Sequence, residues 1–149
     1  IHSSPPWQDL DVPMMTINEY GTGRAVYSAV PIESANGESE ARLFVEIVRS
    51  LLDGRLSYTA EAHPALWMSA CDQPDCTRVM ASFLNFQADL PPVPVPVSFE
   101  LRPPRGRIFR KLTLVPDGRA IGFAIDSDGT LRARLESVAL LAMVVAEYD

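Results

Sequence analysis

The side chains in this sequence that could do chemistry are few, and the two cysteines come first. Cys71 and Cys76 are the only cysteines among 149 residues, and they flank Asp72-Gln73-Pro74-Asp75. Four intervening residues with a central proline favour a tight reversal, which brings the flanking Cβ atoms toward bridging distance. The expectation is a Cys71–Cys76 disulfide that fixes the shape of its loop, contributing about 2 kcal/mol through chain entropy. A bridge of this kind belongs in an oxidising compartment, so the spacing predicts a periplasmic or secreted protein. Zinc would need further Cys or His ligands, and only His2 and His63 are available. No metal and no cofactor are expected.

His63 follows Glu61 by two residues and precedes Pro64. A Glu–His pair could serve a small hydrolase only with a nucleophile and an orienting group beside it. There is no Gly-x-Ser-x-Gly elbow, and bridged cysteines cannot attack. Asp126-Ser127-Asp128-Gly129 opens like a calcium loop, but Glu136 comes too early for the closing ligand, so a hairpin turn is expected there. Gly21-Thr22-Gly23 lacks the third glycine of a dinucleotide loop. No residue is assigned a catalytic role.

What remains is recognition. A clipped loop loses little entropy on binding, so Asp72, Gln73, Pro74 and Asp75 are the expected partner-binding residues, with Tyr20 of an earlier hairpin loop as a further anchor. A small, acidic, stapled chain of this profile reads as a non-catalytic inhibitor that occludes a partner enzyme, as an immunity protein does a cell-wall-degrading toxin. A structural subunit of an envelope or capsid is the alternative, with the His63 hydrolase behind it. The expected partner is another protein, and the oligomeric state is left open.

Charge narrows the field further. The net charge is −6, against the Lys- and Arg-rich surface that phosphate binding demands, so no nucleic-acid partner is expected. Residues 1–100 hold 5 basic and 13 acidic side chains, and residues 101–149 hold 8 and 6. The basic cluster Arg102, Arg105, Arg107, Arg110, Lys111 and Arg119 is expected to balance acidic neighbours within the fold. No apolar run is long enough to span a bilayer. The opening Ile1, with no charged-then-apolar leader, reads as a processed product.

The elements that must position these residues are mostly strands. Thirteen prolines disfavour a helical bundle. The expected fold is α+β: mainly antiparallel sheet, in hairpins and meander, with one amphipathic helix packed on it, in a single domain of 149 residues after an irregular lead-in over 1–13. Leu43, Phe44, Ile47, Val48 and Leu51 recur at helical spacing between a Ser39 N-cap and Gly54. Met14–Asn18 and Ala25–Val30 form a first hairpin, Ala65–Cys71 and Thr77–Gln87 a second. The alternating prolines of 91–97 predict an edge or polyproline segment, because central strands exclude repeated proline. Ser98–Leu101, Arg107–Val115 and Ala120–Ile125 are expected to form a meander. Leu131, Ala133 and Leu135 alternate with Arg132, Arg134 and Glu136 as a half-exposed strand. Val138–Tyr148 is read as strand rather than helix.

Overall fold

The structure, a computed structural model, describes residues 11–32, 37–87 and 91–149. Most of the expected lead-in, residues 1–10, therefore lies outside the described residues. The chain divides into two compact units, Ile1–Arg55 and Leu56–Asp149, where a single domain was expected. The division falls just past the helix rather than at the proline-rich stretch.

In the first unit, β1 (Met15–Tyr20) and β2 (Gly23–Ser28) form an antiparallel hairpin closed by Gly21-Thr22. Gly21 sits at φ 60°, where a Cβ would be strained. Helix α1 (Glu38–Leu51) starts one residue before the expected cap: Gly37 takes the N-cap position, and Ser39 lies inside the first turn. Glu38 and Glu40 favour the positive end of the helix dipole and Arg49 the negative end. The chain leaves the helix through left-handed Asp53 and Gly54, whose N–H reaches Arg49 O at 2.8 Å.

The second unit is all β. A four-stranded sheet runs β3 (Tyr58–Ala62), β6 (Val95–Leu101), β10 (Leu131–Val138), β9 (Phe123–Ile125). A five-stranded sheet runs β4 (Leu66–Gln73), β5 (Arg78–Asn85), β11 (Leu141–Tyr148), β7 (Phe109–Val115), β8 (Arg119–Ala120). Only the connections β4–β5, β7–β8 and β9–β10 stay within a sheet; the others cross between them. The two sheets share one core: Val79, Ala81 and Phe83 from β5 meet Val97, Phe99 and Leu101 from β6. The Phe83 and Phe99 rings lie 4.8 Å apart, tilted by 53°. Strands β5, β6, β7, β10 and β11 turn apolar residues inward, so both inner faces are apolar.

Two expectations change. β6 and β7 belong to different sheets, so the predicted meander is absent: the loop through Pro103-Pro104-Arg105-Gly106 carries the chain across the sandwich instead of turning it back. The proline-rich segment runs into an interior strand, since β6 lies between β3 and β10. Pro96 is tolerated there because the β3 ladder ends at Val97 and the β10 ladder shifts register between Leu135 and Val138, so no rung needs its missing N–H. The helix belongs to the first unit, whereas both large sheets lie in the second. Of the expected strand Val138–Tyr148, Val138 instead closes β10, residues 139–140 bend, and Leu141–Tyr148 supplies the central strand of the larger sheet.

The loop 126–130 is the expected hairpin turn. Gly129 N–H donates to Asp126 O, and Asp128 accepts the Thr130 N–H at 3.0 Å. That backbone bond, helped by Arg102, holds the Asp128 carboxyl below its ordinary value of 3.8. Asp149 is lowered likewise by Arg110, which grips it at 2.6 Å. A depressed carboxylate stabilises the fold above its unfolded pKa and loses that contribution as pH falls through the native one. The thermal midpoint should therefore fall below about pH 4, and Asp128→Asn should flatten part of that fall. Circular dichroism melts between pH 2 and 7 check it.

Candidate functional site

The outward face of the four-stranded sheet collects the polar alternates of three strands into two cross-strand rows. Thr59, Glu100 and Arg132 stand side by side in register, and Glu61, Ser98 and Arg134 form the next row. Neighbouring strands are about 4.8 Å apart, so each row spans roughly 10 Å. The Thr59 hydroxyl donates to Glu100 at 3.1 Å. Arg132 Nε lies 3.0 Å from Glu100 and 2.8 Å from Asp126. Arg134 donates to Ser98 at 3.3 Å and to Glu136 at 3.1 Å. Together with Gly122 and Ala124 these side chains line an open trough of about 530 Å³. Donors and acceptors alternate across it, a pattern suited to hydroxyl-rich ligands. Glu61 and Glu100 are diagonal neighbours on adjacent strands, a relation that places Cα atoms about 7–8 Å apart.

The opposite, five-stranded sheet is apolar on its outer face at one end. Trp67, Leu84 and Leu141 share a row, and each is exposed. Phe86 lies beside Trp67, with ring centroids 6.3 Å apart. Antiparallel sheets ordinarily turn polar residues to water on such a face.

The residues singled out from the sequence fare differently. Cys71 and Cys76 are free and exposed, so the expected bridge is not formed. The register explains this. β4 runs on through Gln73, whose partner is Arg78, and Cys71 pairs with Met80. Cys71 thus stands two residues, roughly 6.6 Å of strand, back from the turn that carries Cys76. Joining the sulfurs would unzip the last rungs of this ladder. Two thiols per chain should therefore react with Ellman's reagent without denaturant; fewer than one would contradict the register.

The loop between them is held by other means. Gln73 accepts from Arg78 Nε at 2.7 Å, and Asp72 accepts the Tyr148 hydroxyl at 2.7 Å, a bond that raises the phenol above its ordinary 10.0. Pro74 and Asp75 form a one-turn 3-10 segment with Cys76 and face solvent. Tyr20 is strongly exposed and belongs to the first unit. His63 is a turn former: its Nδ1 accepts the Ala65 N–H at 3.1 Å. In the basic cluster, Arg102 pairs with Asp128, Arg110 with Asp149 and Lys111 with Glu147, while Arg107 lies over the Tyr148 ring.

The polar trough was missed at the sequence level. The alternation of Arg132 and Arg134 with Leu131 and Leu135 signals one outward-facing strand, but nothing in it names Glu100 or Thr59 as neighbours.

This geometry defines a two-sheet β-sandwich carried with a hairpin–helix unit. Among solved structures, alpha-L-fucosidase isoenzyme 2 from Paenibacillus thiaminolyticus shares the fold, with a TM-score of 0.68 at 18% identity. The match takes in 89% of this chain and 22% of that one. Residues 56–149 are 94 of the 149, too few to supply that share, so the likeness reaches into residues 1–55. No family model matches the sequence, and no curated protein matches it.

Proposed function

We propose that this chain is a non-catalytic β-sandwich portion of a larger carbohydrate-processing hydrolase. The observation that carries the reading is the extent of the fold likeness: nearly the whole chain corresponds to less than a quarter of a fucosidase. The sandwich side chains fit an accessory role. His63 is spent on its own turn, and Glu100 is engaged by Thr59 and Arg132. The trough of alternating donors and acceptors gives such a module a face on which sugar hydroxyls can be held.

An inhibitory plug draws less support. Its stiffness was to come from a covalent clip, and in this fold the loop is held by hydrogen bonds from Arg78 and Tyr148. A periplasmic or secreted address would depend on the same bond.

The test is hydrolysis of aryl glycosides, p-nitrophenyl α-L-fucoside among them. The chain alone should release no nitrophenol above buffer, whereas the polypeptide read from the whole surrounding frame should. Turnover by the 149-residue chain itself, lost on Glu100→Gln, would overturn the accessory reading.

A further inference from the structure

Residues 11–55 have the patterning of a layered α/β structure without its core. Among the described residues of this unit none is buried, and α1 in particular contributes no buried side chain. Large apolar groups stand in the open: Ile17 at 66% exposure, Tyr27 at 68%, Phe44 at 42%. A two-stranded hairpin is marginal in water unless further strands or a helix pack on it, and α1 meets β2 but leaves Ile17 of β1 exposed.

The uncovered area has a direction. Ile17 of β1 and Val26 of β2 are cross-strand partners and so share a face of the hairpin. A groove of about 520 Å³ on that face is lined by Val26 and Ser28 from β2 and by Phe44, Ile47, Val48 and Leu51 from α1, with no residue of β1. Val26 is accordingly half-buried, while its partner Ile17 is not. The apolar face continues past the helix and across β1. Among the described residues β1 pairs with β2 alone, which leaves the backbone groups of its other edge open to a ladder.

We infer that the hairpin–helix unit completes the sheet of a neighbouring domain in the same longer polypeptide. A strand from that domain adds to the free edge of β1, and its layer covers Ile17 and the open flank of α1. Main-chain bonds along β1 supply the register and the alternate apolar side chains supply the fit. That the neighbour is part of the same polypeptide rests on the reading above, in which this chain is a fraction of a larger protein; the need for a covering strand stands on burial and the open edge alone.

Hydrogen–deuterium exchange followed by mass spectrometry tests it, first on the 149-residue chain at micromolar concentration with sedimentation velocity alongside. Amides of 15–28 should show less than about tenfold protection while β5 and β11 exceed about a thousandfold, in a monomer. Strong protection of 15–28 in the monomer overturns the inference, because the chain then covers its own face. Protection that appears only with a dimer also overturns it, because a second copy is then the occupant. In the polypeptide read from the whole frame, 15–28 should gain at least a hundredfold protection, reduced by Ile17→Asp; no gain overturns it. These readouts are independent of glycoside turnover, so the functional reading can fail while this one holds.

Discussion

Replacing Phe83 by alanine is expected to cost the second unit about 3–5 kcal/mol, the range for emptying a large aromatic from a packed core. Phe83 is fully buried on β5, and its ring meets Phe99 of the other sheet at 4.8 Å. The deletion therefore removes burial and also the contact that couples the two layers. Relaxation cannot easily fill the space, because Leu101, Leu112 and Val144 around it are themselves buried strand residues. Urea unfolding followed by the fluorescence of Trp67, which reports on β4 of the same unit, measures the loss. A cost below about 1 kcal/mol would mean that the sheets do not share this core.

Asn85→Ala should cost about 2–4 kcal/mol, a large effect for a polar residue. Asn85 is fully buried. Its amide nitrogen lies 2.9 Å from Val93 O, 3.0 Å from Val138 O and 3.1 Å from Ala139 O, and its carbonyl accepts from Gln87. One side chain thus ties the approach to β6 and the crossover from β10 to β11. Alanine takes this donor from Val138 O, the buried bond of the three, while Val93 O keeps the Gln87 amide; an orphaned buried acceptor costs more than the bond contributed. Asn85→Asp should be worse than alanine at pH 7, since it aims a carboxylate at the same three oxygens. The same urea titration gives both values; an aspartate variant as stable as wild type would show that the amide is not the clasp.

How much of this was legible in advance depended on whether the controlling interaction was local. The helix could be read because Leu43, Phe44, Ile47, Val48 and Leu51 repeat within the element itself, although its N-cap moved from Ser39 to Gly37. The hairpin of β4 and β5 could be read from one turn between two apolar runs, and β10 from its alternation. Pairing at long range could not. Strands β5 and β11 are neighbours across more than fifty residues, and no local pattern states that. The error at 91–97 has the same origin: Pro96 is barred from a central strand unless the ladders on both sides happen to release it, and that release is set by Ala62 and Val138 far away in sequence. The cysteine pair shows how spacing misleads. Six residues with a proline suggest a clipped turn, but the strand continues two residues further than the turn signal implies and carries Cys71 out of reach. The trough depends on three strands arriving in register, so it exists only in the folded sheet.

If this sandwich works as part of a much larger hydrolase, the mass of the native polypeptide that carries it must show it. Antibodies raised against residues 56–149 should detect in the source cells a single chain several times heavier than the 16.4 kDa of this one. A native product of 16.4 kDa, with no heavier band, would contradict the account.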